Sequence, residues 1–217
     1  PLTSKLYESK LIYHSPTFGD EVRTFCMNPN GEVVQENYNG IATVNGHSYA
    51  EKTTNNTNFA LLVSEKFTEP FKEPIQYGQH IARLANMLGG GILVQRFGDL
   101  LDGRRSTPER IKASIIKPTL TCATPGDLSL VIPYRQMTSI IEMLQALDKI
   151  CPGTASRYTL LYGIEVKFYS ARVKLTNELE TEGVKNLFAI GDGAGVTRGL
   201  IQASASGVHV ARTICAR

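Results

Sequence analysis

Residues 186–207 read NLFAIGDGAGVTRGLIQASASG, an apolar run, an acidic residue among glycines, and then an amphipathic stretch. Leu187, Phe188, Ala189 and Ile190 predict a parallel strand covered on both faces. Gly191, Gly193 and Gly195 follow; with no Cβ they let the chain turn sharply and come close to a ligand. Asp192 is then the charge at the strand's C-terminal end, where open α/β sheets bind ligands. Leu200, Ala203, Val208, Ala211 and Cys215 are spaced for one face of a helix, with Thr197 or Ser204 able to cap it or face solvent. The start of such a helix points back at the turn, and its unpaired N–H groups and dipole favour an electron-rich group there. Strand, tight loop and helix in this order call for a mixed α/β architecture.

The stretch GDGAGVTRGLIQASASG resembles the C-terminal FAD-binding motif of two-dinucleotide-fold flavoproteins. Within that superfamily it is similar to one branch, the NAD(FAD)-utilising dehydrogenases. VRTFCMNPNGEVV (22–34), TVNGHSY (43–49) and VQRFGDLL (94–101) also resemble stretches of that branch, in the same order. The resemblance implies FAD as cofactor and NAD or NADP as co-substrate. It makes Asp192 an acceptor of hydrogen bonds from the ribityl or pyrophosphate side of FAD. Gly191 shapes the turn, Gly193, Gly199, Leu200 and Ile201 contribute backbone N–H groups, and Arg198 balances the cofactor's negative charge. That branch usually carries a second cysteine two positions after the one matching Cys26; Asn28 stands there instead, so no local dithiol exists.

A dinucleotide fold of this type also needs an early strand followed by G-x-G-x-x-G, with an acidic residue about 20 positions later. No such unit occurs here, and the sequence opens on Pro1. The expectation is therefore the C-terminal part of a longer flavoprotein whose partner is the missing N-terminal half of the FAD domain. Residues 1–165 read as a substrate-type insert domain, β hairpins then helices. Residues 166–217 read as the C-terminal segment of a split FAD-binding domain, Rossmann-like in its last strand and helix. Alone, such a piece is expected to be inactive and to bind FAD poorly.

The formal charge of +3, from 23 basic and 20 acidic residues interspersed along 217, gives no reason to expect nucleic acid. Arg104, Arg105, Arg110 and Lys112 read as a solvated loop around Pro108, with a basic site for a carboxylate or phosphate as the alternative. No apolar run approaches the roughly 18 residues that cross a bilayer, so no membrane partner is expected. Cys26, Cys122, Cys151 and Cys215 are widely separated, without metal or C-x-x-C spacing. They fit thiols of a reducing cytosol, hence a cytoplasmic protein without a metal site.

From Glu21 to Ser64 the pattern is β-like. Val22–Met27 and Glu32–Val34 flank Asn28-Pro29-Asn30-Gly31 and suggest one hairpin; Ile41–Val44 and His47–Ala50 around Asn45-Gly46 suggest a second. Phe59–Ser64 suits a buried strand. Ile75–Leu88 has helical spacing, with Ile81, Leu84, Ala85 and Leu88 on one face, and Gly89-Gly90-Gly91 stops it as a C-terminal cap. A helical turn over Gly126–Val131 precedes Pro133. Ile140, Ile141, Leu144, Leu147 and Ile150 mark a helix that ends near Cys151-Pro152-Gly153, and Tyr158–Phe168 returns to strand-like sequence with a turn or bulge at Gly163.

Among candidate substrate residues, Gln95 and Arg96 offer an amide and a planar fork of donors to an anion. Cys26 is the possible redox group, read otherwise as a small buried strand residue. No catalytic acid or base stands out, since His14, His47, His80 and His209 have no paired spacing. Together these readings give an FAD-dependent oxidoreductase that passes hydride between a nicotinamide and an unknown small-molecule substrate. The alternative is a non-catalytic binding or scaffold module that retains a flavoprotein fold.

Overall fold

The computed structural model describes residues 10–167, 173–197 and 199–217. They divide into two compact units, Pro1–Val166 and Lys167–Arg217. The architecture is mixed α and β, as expected.

The first unit carries three small sheets. β1 (Ile12–His14), β2 (Glu21–Asn28) and β5 (Asn58–Val63) form an antiparallel sheet in the order β1-β2-β5. β3 (Glu32–Tyr38) and β4 (Ile41–His47) form a separate hairpin in continuous register from Tyr38↔Ile41 to Glu32↔His47. The predicted hairpin between 22–27 and 32–34 is thus corrected: the Asn28–Gly31 turn exists, but β2 and β3 lie in different sheets. The second predicted hairpin is displaced. Asn39-Gly40, not Asn45-Gly46, makes the two-residue turn, with φ of 51° and 81°, the positive pair that a type I′ turn needs. Asn45-Gly46 lies inside β4. A Cβ on Gly46 would sit 2.0 Å from Asn58 Oδ1 and 2.5 Å from Asn28 Nδ2, so this glycine serves a close approach rather than a turn.

α1 (Pro74–Gly89) forms where the spacing predicts a helix, with Ile81, Leu84 and Ala85 on its covered face but Leu88 exposed. Pro74 opens it, and Gly90, at φ 66°, ends it in the left-handed region. Its Asn86 side chain donates to Ala42 O (2.9 Å) and accepts from Ala42 N (2.8 Å), fixing the helix against β4. β6 (Leu93–Arg96) is the centre of the third sheet, parallel to β7 (Thr124–Pro125) and antiparallel to β8 (Leu160–Gly163). Between β6 and β7 come two short helices, α2 (Phe97–Leu101) and α3 (Pro108–Lys112). A 3-10 turn at Leu128–Leu130 leads to α4 (Tyr134–Asp148). Leu93, Phe97, Leu128, Leu144 and Ala85 form the largest buried cluster, while Val22, Met143 and Leu147 join α4 to the first sheet. β6 is buried because both its faces are covered, which places Gln95 and Arg96 at the edge of the main core.

In the second unit the predicted strand at Leu187–Ile190 does not form. Phe188 makes one isolated antiparallel bridge to Glu180, and Leu187 and Ile190 are about half-exposed. A parallel strand needs neighbours on both edges to satisfy its backbone, and the described residues of this unit supply a single bridge to this segment. The helix does form, as α5 (Leu200–Cys215). Its covered face is Ala203, Ser206, Gly207, Val210 and Thr213, whereas Leu200, Val208, Ala211 and Cys215 are exposed. The apolar residues of this helix surround it, so apolar spacing alone pointed to the wrong face; the small residues mark the packed one.

Candidate functional site

The turn ahead of α5 is built on backbone geometry. Gly191 and Gly195 adopt φ of 74° and 69°, values that glycine reaches without a Cβ clash. Asp192–Ala194 closes a 3-10 turn, with Ala194 N–H on Gly191 O (3.3 Å) and Gly195 N–H on Asp192 O (3.0 Å). Ser206 then ties this turn to α5. Its Oγ accepts from Gly191 N–H (3.1 Å) and donates to Ala203 O (2.7 Å). A Cβ on Gly191 would lie 3.9 Å from Ala203 Cβ, and one on Gly207 would lie 3.8 Å from Ile190 Cδ1, so the turn rests on the small-residue face of the helix. Ser206 is not evident from apolar spacing; its signal is small residues at 203, 206 and 207 on one face with Val210, at helical spacing.

Asp192 and Gly193 are exposed, and a Cβ on Gly193 would meet nothing within 4 Å. Asp192 Oδ1 accepts a 2.5 Å hydrogen bond from Thr197 Oγ1, which occupies Thr197 within the turn instead of at a cap. Gly199 is the N-cap, without a side-chain hydrogen bond. Leu200 and Ile201 are 87% and 83% exposed. The first intrahelical bond recorded there is Ala203 N–H to Gly199 O, so the amides of the opening turn have no intrahelical acceptor. Arg198 lies outside the described residues. A hollow of this unit lined by Thr176, Glu180, Lys185 and Arg217 includes no residue of the 191–200 turn.

Gln95 and Arg96 sit together in the first unit but do different things. Gln95 is fully buried; its amide N–H donates to Arg104 O (2.9 Å) and its Oε1 accepts from Leu128 N–H (2.8 Å). It therefore ties three chain segments together and presents nothing to solvent. Arg96 continues from β6 with its N–H on Ser106 Oγ (2.8 Å) and its guanidinium carbon 5.2 Å from the Tyr158 ring centre. Asp99, 1% exposed, accepts from Ser106 Oγ (2.8 Å) and Arg104 Nε (3.1 Å). Gly98 lets this helix lie against residue 157. A Cβ there would come within 2.8 Å of Arg157 Cβ, and Gly98 N–H reaches Arg157 O (3.0 Å). The arrangement can hold an anion beside Arg96; it offers no paired acid and base. Of the basic residues read from sequence as one solvated loop, Arg104 is structural, since it pairs with Asp99 and Asp102; Arg157, from outside that loop, also pairs with Asp102. Arg157 holds the Asp102 carboxyl below its ordinary value, through its hydrogen bond first and then its charge.

Cys26 departs from the plain strand residue expected. It is half-buried, at φ 46°, where the β2–β5 register shifts between Phe25 and Asn28. It is thus the irregular position of a β-bulge, and Asn28 donates back to its carbonyl (2.6 Å). Cys26 is 69 positions from Gln95 in sequence and in a different sheet, so the three candidate substrate residues do not form one cluster. His47 lies 3.8 Å from Glu36 across the hairpin and stacks on Tyr49, a surface arrangement. Among the described residues no group of three or more His, Cys, Asp or Glu side chains is placed to hold a metal, and no helix is long and apolar enough to cross a membrane.

Against known proteins, residues 5–168 match the model of a family described as FAD-dependent protein, C-terminal domain-like. An uncharacterized protein of Clostridium beijerinckii is 33% identical over 217 residues, covering 94% of this chain and 40% of its own length. The chain therefore spans about two-fifths of that relative. The family match takes in the bulge at Cys26 and the β6–α2 segment and ends before the Gly191 turn. Since it covers well over half of the sequence, the chain belongs to the FAD-dependent protein C-terminal domain-like family.

Proposed function

We propose that this chain is the C-terminal part of an FAD-dependent oxidoreductase. Residues 1–165 act as its substrate-type domain and 166–217 as the flavin-proximal end of a split FAD-binding domain. The observation that carries the reading is the turn at Gly191–Gly195, held on α5 by Ser206 and followed by exposed helix-start residues. These residues fit the cofactor: Gly193 has open space where a ligand would lie, and the opening amides of α5 suit an electron-rich group. Asp192 accepts hydrogen bonds from the ribityl hydroxyls, and the amides of Gly193, Gly199, Leu200 and Ile201 orient the ring system, with Arg198 offsetting negative charge. Bound FAD supplies the two-electron chemistry, with NADH or NADPH as hydride donor to it.

The relative's greater length and the exposed Leu187, Ile190, Leu200 and Ile201 support a partner surface. In this reading it is the N-terminal half of the FAD domain. The test uses the full-length protein. Purified, it should show a flavin absorption band that bleaches on anaerobic addition of a nicotinamide. Asp192→Ala should weaken FAD retention about tenfold, a loss of roughly 1.4 kcal/mol, with the far-UV circular dichroism unchanged. A full-length protein that purifies colourless and takes up no added FAD overturns the proposal; a flavin band that neither nicotinamide bleaches removes the nicotinamide from it.

A further inference from the structure

Three guanidinium groups surround α2 and share two carboxylates. Arg104 donates to Asp99 (3.1 Å) and pairs with Asp102 (3.1 Å), and Arg157 pairs with Asp102 (2.5 Å); both arginine side chains are about half-exposed. Arg96 is different. Its side chain is 16% exposed, and its Nε is buried with no hydrogen-bond partner among the described residues. Its closest carboxylate oxygen, Asp99 Oδ2, stands 4.0 Å away and already accepts from Ser106, while Oδ1 accepts from Arg104. A guanidinium carries five N–H donors in a fixed plane. Covering one from water without acceptors is unfavourable, and a neighbouring charge at that distance does not replace hydrogen bonds. Stacking on Tyr158 holds the plane in place and satisfies no donor.

The charges agree with this geometry. Three cations face two anions, which leaves one positive charge at α2; on the adjoining segment Glu109 partly offsets Arg105 and Arg110. We infer that Arg96, fixed by Tyr158 and Asp99, is the anchor of a small-molecule oxyanion site in the first unit. It takes a carboxylate or phosphate group on the guanidinium fork, with Arg104 and Arg157 as the half-exposed rim. The unmet Nε–H is a donor that such a group satisfies, and a carboxylate or phosphate can take a second guanidinium N–H beside it. This site goes beyond the flavin reading and stands whether or not FAD binds to the second unit.

Arginine Nε–H resonances of the 217-residue chain, followed by nuclear magnetic resonance during titration with inorganic phosphate and separately with acetate, test it. The Arg96 signal should shift saturably, while that of Arg105 shifts little. Saturation by phosphate alone assigns a phosphate, by acetate alone a carboxylate, and by both a general oxyanion. Arg96→Gln should weaken binding at least tenfold, measured calorimetrically with the probe that saturates. An Arg96 signal that does not move, or that drifts in parallel with Arg105, overturns the inference, as does an Arg96→Gln protein that binds equally well. Should Arg96→Gln fail to fold, the wild-type titration decides alone. Because the titration needs no flavin, its failure is distinct from a colourless full-length protein.

Discussion

Gln95 illustrates how a residue with binding chemistry becomes a structural tie. From the sequence, an amide next to an arginine after a glycine run is a plausible anion contact. In the fold β6 is covered on both faces, so Gln95 is fully buried and completes the hydrogen bonds of Arg104 O and Leu128 N–H. Gln95→Leu keeps the volume nearly constant but strands the Leu128 amide beside a side chain that is 2% exposed. An unpaired buried amide costs about 1–3 kcal/mol; the Arg104 carbonyl, on an exposed residue, can return to water. Denaturant unfolding should therefore show a loss of that size for Gln95→Leu, with unchanged slope. A variant as stable as the parent protein would mean that the Leu128 amide finds another acceptor.

Elements were legible where local chemistry decides and illegible where partners do. α1 and its glycine stop follow from spacing and a left-handed cap, and α4 from its apolar period. The expected hairpin turn is misplaced because two Asn-Gly pairs compete six residues apart, and sequence does not say which one is a turn. Symmetry about Asn39-Gly40, seven residues on each side, is the signal that separates them. Leu187–Ile190 looks like a strand, yet a strand is defined by neighbours that its own composition cannot provide. At the site, the Gly191–Gly195 turn was readable from glycines, whereas the Ser206 tie and the unsatisfied Arg96 depend on tertiary packing.

The two glycines of β3–β4 give a direct check on that distinction. Gly40 is required for its φ of 81°, so Gly40→Asn, which tolerates the left-handed region, should cost less than Gly40→Val. At Gly46 the constraint is space beside Asn58 and Asn28, and any side chain breaks the 3.0 Å Asn28–Asn58 hydrogen bond. Gly46→Ala should therefore destabilise by about 1–3 kcal/mol, the range for overpacking a filled site, and Gly46→Asn should be no better. Thermal melts of the four variants compare them. Equal effects of asparagine at the two glycines would mean that Asn45-Gly46 is not strand interior.

At the scale of the whole molecule, the first unit closes on itself through long-range polar ties between α4 and the β1–β2 loop. Arg135 donates to both oxygens of Asp20 (2.8 and 2.5 Å), and Glu142 accepts from Ser15 (2.5 Å) and from Thr17. The Arg135 hydrogen bond, more than its charge, holds the Asp20 carboxyl below its ordinary 3.8, and the Ser15 and Thr17 hydroxyls hold Glu142 below 4.5. A carboxyl whose pKa is lower folded than unfolded binds fewer protons in the native state, so stability rises with pH across that interval. These contributions are complete above the ordinary values and fade as pH falls from about 4.5 through the lowered folded ones. Unfolding free energy should therefore be flat near neutrality and drop below pH 4.5. Asp20→Asn together with Glu142→Gln should lower the neutral plateau and flatten the drop. Denaturant titrations from pH 3 to 7 on both proteins measure the difference. An identical acid slope in the double variant would place the acid sensitivity in other carboxylates, such as Asp102 or Glu180, whose arginine partners also hold them low.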